Sequence, residues 1–226
     1  DTNDNFLEIG PGRGAITKEL LSKVKQTHAV EIDNDLLKEL KKIENKENLH
    51  LHNCNILDFD PRETSLSKIR VIGNLPYNIS TPIILWSFKH LDFFLDMHFM
   101  FQKEFGERLV AENNNKNFGR ISVITQYLTH PQYCFSINPE SFSPKPKVDS
   151  VFVRFEPIKG RKFDDPITLK LQEVTRIAFM HKRKMVGKSL EKILSAKELV
   201  NLDIDGKLRP ENLSVDDYVR IAETLI

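Results

Sequence analysis

Glu8-Ile9-Gly10-Pro11-Gly12-Arg13-Gly14 decides how the rest of the chain is read. Phe6-Leu7-Glu8-Ile9 reads as a strand that stops at glycine, and Ala15 to Val24 follows as a helix carrying Ile16, Leu20, Leu21 and Val24 on one stripe. Glycines at a strand-to-helix turn let backbone approach a ligand closely. His28 to Ile32 reads as a second strand, and Asn34 is expected to cap a helix with Leu36, Leu37, Leu40 and Ile43. Leu49 to Leu51, Val71 to Gly73 and Met97 to Phe101 supply three more strands. This alternation predicts βαβ units and an α/β fold, its mostly parallel sheet covered on both faces.

Tyr133 to Ile137 and Val151 to Phe155 break the rhythm and predict an antiparallel pair at the sheet edge. Beyond Glu156-Pro157 the strand signals stop. Leu169 to Phe179, Lys188 to Leu194 and Val215 to Leu225 read as helices, the last with Ser214 and Asp217 at capping-box spacing. The expected division is therefore 1–156 as the α/β domain and 157–226 as a small α-helical domain.

The 226 residues are enough for one full α/β domain and an appendage, and 40% hydrophobic with 29% charged residues is ordinary for a globular protein. No apolar run approaches the roughly eighteen residues of a membrane span. Two cysteines, Cys54 and Cys134, outside any paired motif argue against a disulfide scaffold or zinc finger and fit a reducing cytoplasm. His50-x-His52-x-Cys54 has metal-like spacing, but it reads as a half-exposed strand, and no metal is expected. Net charge is +1, yet 159–197 holds eleven Lys/Arg against four Asp/Glu, whereas 198–226 holds three against seven. The basic stretch Arg176 to Lys188, with His181-Lys182-Arg183-Lys184, suits a polyanion.

The spacing E-x-G-x-G-x-G differs from the G-x-G-x-x-G of dinucleotide dehydrogenases and resembles the first motif of class I methyltransferases. Glu31, 21 positions after Gly10, is placed to accept from ribose hydroxyls, which suits S-adenosylmethionine and NAD alike. The target motif is Val71-Ile72-Gly73-Asn74-Leu75-Pro76-Tyr77-Asn78-Ile79-Ser80, with Thr81-Pro82 expected to start a helix. An adenine amine is a poor nucleophile because its lone pair is delocalised into the ring. Two acceptors on its hydrogens favour a pyramidal nitrogen, and the Asn74 side chain and the Pro76 carbonyl are the candidates. Tyr77 offers a flat face to a base taken out of its stack. Alignment and preorganised polar groups then suffice, with no strong base.

Together with Val30-Glu31-Ile32-Asp33, Phe101-Gln102-Lys103-Glu104, Gly119-Arg120-Ile121-Ser122-Val123 and Phe142-Ser143-Pro144-Lys145-Pro146-Lys147-Val148-Asp149-Ser150, these motifs cover nearly the whole α/β part. The chain resembles the KsgA-type family of small-subunit ribosomal RNA adenine N6,N6-dimethyltransferases. The resemblance implies a class I methyltransferase Rossmann-like sheet and S-adenosylmethionine held by Gly10, Gly12, Glu31, Asn55 and Asn74. It implies catalysis by Asn74, Pro76, Tyr77 and Phe142, with Phe142 facing Tyr77 across a flipped adenine. It further implies dimethylation of two adjacent adenosines near the 3′ end of small-subunit rRNA in an immature particle. Arg176, Lys182, Arg183 and Lys184 then grip rRNA phosphates, and a cytoplasmic monomer is expected. Asn55 stands where the family usually has Asp, so weaker cofactor binding is expected. The family's R-F-G-Q-N-F-L-like segment is absent and no initiator Met is present, so a preceding natural segment, and poor activity without it, are expected. Three rivals are weighed: the related large-subunit resistance methyltransferases, a non-catalytic RNA-binding assembly factor on the same fold, and an NAD dehydrogenase, which nothing resembling a hydride-transfer site supports.

Overall fold

A computed structural model describes residues 2–43, 47–142, 145, 147–181 and 183–226. Among the described residues seven strands form one sheet: β1 (Asn5–Ile9), β2 (Gln26–Val30), β3 (Leu49–His52), β4 (Ile69–Asn74), β5 (Phe94–Gln102), β6 (Thr129–Ile137) and β7 (Ser150–Pro157). Their order is β3-β2-β1-β4-β5-β7-β6. Pairings from β3 through β5 are parallel, and β7 is antiparallel to β5. The two strands expected as an edge pair, β6 and β7, are neighbours with β6 outermost, and β7 is in addition antiparallel to β5. Register explains why so much of the sheet is apolar: Leu7 lies beside Val71, Val71 beside Met97 and Met97 beside Phe155, all on one face and all fully buried. On the opposite face Asp96, 1% exposed, accepts from Arg70 (2.7 Å) and Arg154 (3.1 Å), tying β4, β5 and β7 together. A carboxylate that deep needs both guanidinium partners to offset its desolvation.

Helices α1 (Ala15–Leu21), α2 (Asn34–Leu40) and α3 (Ser80–Lys89) connect strands of this sheet. Asp33, rather than Asn34, caps α2, because its carboxylate accepts from the N–H groups of Asp35 (2.8 Å) and Leu36 (3.3 Å). α3 starts at Ser80 rather than Thr81, since the 3-10 turn Tyr77–Ile79 runs directly into it. Pro82 falls in the first turn, where its missing N–H has no partner to lose. His50 and His52 of β3 are joined by a third imidazole that spacing did not reveal. The His28 ring stacks on His50 with centroids 4.5 Å apart, and its Nδ1 lies 2.9 Å from Nε2 of His52. Burial pushes the His28 pKa down to about 4, so the His28 ring is neutral at physiological pH.

The remaining helices are α4 (Lys103–Val110), α5 (Arg120–Leu128), α6 (Pro166–Phe179), α7 (Val186–Ser189), α8 (Ala196–Asn201) and α9 (Val215–Thr224). Contacts divide the chain into two units: 1–103 with 132–157, and 104–131 with 158–226. The division expected at 157 leaves α4 and α5 with the sheet. They belong instead to the helical unit, where α5 packs on α6 and α9. Val123, Leu128, Leu171, Val174, Tyr218 and Ile221 form its fully buried centre. The predicted helix over Lys188 to Leu194 is shorter, α7 ending at Ser189. Leu190 and Leu194 are buried from within turns, so their apolar spacing reflected burial rather than a helical stripe. Ser214 and Asp217 do form the capping box that starts α9.

Candidate active site

The carboxyl ends of β1, β2 and β4 open onto a cavity of about 470 Å³, within the usual range for small-ligand sites. Its wall contains Gly10 and Gly12 after β1, Glu31 after β2, Asn55 after β3, Asn74 at the end of β4 and Pro76 beyond it. All five residues expected to hold a cofactor therefore share one cavity. The apolar wall is what sequence reasoning missed. Ile32, Leu36, Cys54, Ile56, Leu57 and Ile79 supply it, and Ile32 and Leu57 are 66% and 38% exposed. Ile32, Cys54, Ile56 and Leu57 stand one or two positions from Glu31 or Asn55, which was the available signal.

Gly10 and Gly12 have φ of +63° and +57°, a region L side chains rarely adopt, and a Cβ on either would meet nothing within 4 Å. Backbone conformation rather than crowding selects glycine there, and bare backbone lines the cavity. Glu31, 6% exposed, accepts from the N–H of Gly12 (3.2 Å) and of Asp33 (2.9 Å), one on each carboxylate oxygen. A carboxylate has about four lone-pair sites, so capacity remains for ligand hydroxyls. The side-chain oxygen of Asn55 accepts from the N–H of Leu57 at 3.1 Å. These residues fit a nucleoside-bearing cofactor: an acidic acceptor, bare glycine backbone and an apolar slot.

Asn74, the last residue of β4, is exposed, and its amide makes no hydrogen bond among the described residues. Pro76 is held differently from what its sequence role requires. Its carbonyl already accepts from the N–H of Ile79 (3.1 Å) and the hydroxyl of Ser80 (3.2 Å). Tyr77 is half-buried and does not line the cavity, and its hydroxyl lies 2.7 Å from that of Ser150. Phe142 is half-buried at the end of the 3-10 turn Pro139–Ser141, while Ser143, Pro144 and Pro146 lie outside the described residues.

In the helical unit Met180, His181, Arg183 and Lys184 surround a recess of about 420 Å³. Arg176 is exposed on the last turn of α6, and Lys182 lies outside the described residues. Among the described residues no group of three or more His, Cys, Asp or Glu side chains is placed to hold a metal ion, and no helix is long and apolar enough to cross a membrane.

Behind the glycine turn, Glu8 is 1% exposed and accepts from the Thr17 hydroxyl at 2.7 Å, clasping β1 to α1. Burial, aided by the charge of Glu31, pushes its pKa up to about 7 from 4.5. The folded carboxyl keeps its proton longer than the unfolded one, so folding is progressively disfavoured as pH rises from 4.5 to 7. Glu8→Gln removes that ionisation. It should raise thermal stability relative to the parent at pH 8, by up to about 3 kcal/mol at roughly 1.4 kcal/mol per pKa unit, and have little effect at pH 4. A parent–variant difference flat across this range in melting curves would count against the buried, proton-holding carboxyl.

The strand order, the antiparallel β7 and the crevice beyond the carboxyl ends define a class I methyltransferase fold. A family model described as ribosomal RNA adenine dimethylase matches residues 1–226. "Ribosomal RNA small subunit methyltransferase A" of Dechloromonas aromatica is 43% identical over 224 residues, 99% of this chain and 87% of that protein. A dimethyladenosine transferase from Plasmodium falciparum superposes with TM-score 0.82 at 27% identity, over 98% of this chain and 89% of that one. The 23S rRNA methyltransferase ErmE superposes with TM-score 0.79 at 22% identity, over 99% of this chain and 91% of that one, a likeness of fold. The chain belongs to the ribosomal RNA adenine dimethylase family and is a methyltransferase.

Proposed function

We propose that this enzyme dimethylates the N6 amines of two adjacent adenosines near the 3′ end of small-subunit rRNA, using S-adenosylmethionine, on an immature particle in the cytoplasm. The observation that carries this reading is the single cavity joining Gly10, Gly12, Glu31 and Asn55 to Asn74. Glu31 would accept from the ribose hydroxyls of that cofactor and Asn55 from its adenine amine, with Ile32 and Leu57 in the apolar wall beside them. When bound there, the cofactor supplies an electrophilic methyl group.

The free side-chain oxygen of Asn74 accepts a hydrogen from the target amine and turns its lone pair towards the cavity. A backbone carbonyl of the same loop supplies a second acceptor. The Pro76 carbonyl is already pinned by two donors, whereas that of Leu75 receives no such bond among the described residues, so Leu75 is the freer of the two. Tyr77 and Phe142 flank the flipped base by stacking. These groups need no strong base, because preorganised acceptors lower the barrier without moving a proton first. Arg176, Lys182, Arg183 and Lys184 bind phosphates and set position rather than sequence. The enzyme acts as a monomer.

The large-subunit reading is disfavoured, since the relative at 43% identity carries a small-subunit name whereas ErmE shares 22%. A non-catalytic assembly factor has no use for an exposed Asn74 on the cofactor cavity. Methyl transfer to immature small subunits, compared with large subunits, tests the proposal. Label is expected on adenines near the 3′ end of the small-subunit rRNA, and label confined to large subunits would overturn it. Absence of any affinity for S-adenosylmethionine in a titration would favour the binding factor.

Asn55→Asp keeps the cap on Leu57 while turning a neutral acceptor into a charged one. Charge-assisted hydrogen bonds are roughly twice as strong as neutral ones, so cofactor binding should tighten by roughly fivefold, a change of about 1 kcal/mol. Calorimetric titration checks this, and equal or weaker affinity would remove Asn55 from the cofactor's contacts.

A further inference from the structure

We propose that Ser150 is a positioning residue for the methyl-accepting base, its hydroxyl locking the Tyr77 ring in the orientation that receives the adenine. The proposal rests on the reading of Tyr77 as one wall of the target pocket.

Two sides of the Tyr77 side chain are fixed by different parts of the chain. Its Cα is set by the 3-10 turn Tyr77–Ile79 after β4, and its hydroxyl by Ser150, 73 residues later, at 2.7 Å. Ser150 is fully buried and opens β7, where it pairs with Gln102, the last residue of β5. Its Oγ is therefore placed by the sheet rather than by a loop. The preceding residue is pinned as well: the Asp149 carbonyl accepts from the Lys103 N–H at 2.9 Å, and its carboxylate pairs with Lys103 at 3.6 Å. Ser150 is also where the stretch beginning at Phe142 enters the sheet. One hydrogen bond thus joins the two chain segments that carry the aromatic walls. A ring tethered at both ends loses the χ1 freedom that would otherwise have to be frozen each time a base binds. Dimethylation makes this matter twice, since the same amine, larger by one methyl after the first transfer, must be presented again.

The test uses the enzyme with immature small subunits and reads kcat, KM for the particle and the monomethyl-to-dimethyl ratio by nucleoside mass spectrometry. Ser150→Ala and Tyr77→Phe break the same bond from opposite sides, and the second leaves no gap at the strand, so a folding defect in the first does not decide the outcome. Each is expected to raise KM or the monomethyl fraction roughly three- to tenfold, the worth of one buried hydrogen bond. The double variant should be no worse than the worse single, with cofactor affinity unchanged. Parental values in both singles while Tyr77→Ala is impaired, or effects that multiply in the double, would overturn the role of Ser150 alone. Parental values in Tyr77→Ala itself would take down the reading of Tyr77 and this proposal with it.

Discussion

Asn74→Ala should lower the rate of methyl transfer about a hundred- to a thousandfold, the loss typical when one preorganised polar group is removed from a reacting centre. The residue is exposed at the end of β4 and its amide holds nothing else among the described residues, so the fold has little reason to notice. Stability should stay within about 0.5 kcal/mol, as for surface substitutions generally. Cofactor affinity should change by only a few fold, because Glu31, Asn55 and the glycine turn remain. Single-turnover transfer with saturating RNA and cofactor isolates the chemical step. A rate within tenfold of the parent at unchanged melting temperature would mean that Asn74 is not the acceptor on the target amine.

Gly73→Ala should be nearly as damaging, through the backbone. A Cβ at this position would lie 2.8 Å from a terminal methyl of Leu75, 3.1 Å from the carbonyl oxygen of Ile9 and 3.2 Å from its Cβ. Leu75 is 1% exposed and Ile9 is 2% exposed, so neither has room to withdraw. Overpacking of this kind costs about 1–3 kcal/mol. It also moves Asn74, the residue between Gly73 and Leu75, and a displacement near 1 Å at a reacting group can cost about a hundredfold in rate. Gly119→Ala is the control: its φ of −167° suits any residue and its Cβ would meet nothing within 4 Å. Melting temperature and kcat together decide the matter. Parental values of both in Gly73→Ala would show that the loop after β4 relaxes without consequence.

The sheet and the cavity at its carboxyl edge were legible because strand–helix alternation is written in apolar periodicity, and because Gly10, Gly12, Glu31 and Asn55 follow strands and Asn74 ends one. In a parallel sheet that common position is also a common place. Three features were not legible, each for a physical reason. The third member of the imidazole stack, His28, lies 22 residues from its neighbour His50, and only strand pairing brings them together. The Pro76 carbonyl depends on a 3-10 turn, and turn dihedrals leave no periodic trace in the side chains. The helical unit recruits α4 and α5 from upstream of β6, an association set by which apolar faces meet and not by where strand signals end.

That discontinuity bears on how the polypeptide can be divided and how it leaves the ribosome. A chain cut after Pro157 retains α5, with its buried Val123, Ile124, Tyr127 and Leu128, but loses α6 and α9, the helices that α5 packs against. Such a fragment presents a contiguous oily surface to water and should self-associate rather than behave as a free-standing catalytic half. During synthesis the same surface waits, unburied, until nearly the last residue of α9 has emerged, because Tyr218, Ile221 and Ala222 complete its cover. Chaperone demand therefore persists until α9 is released.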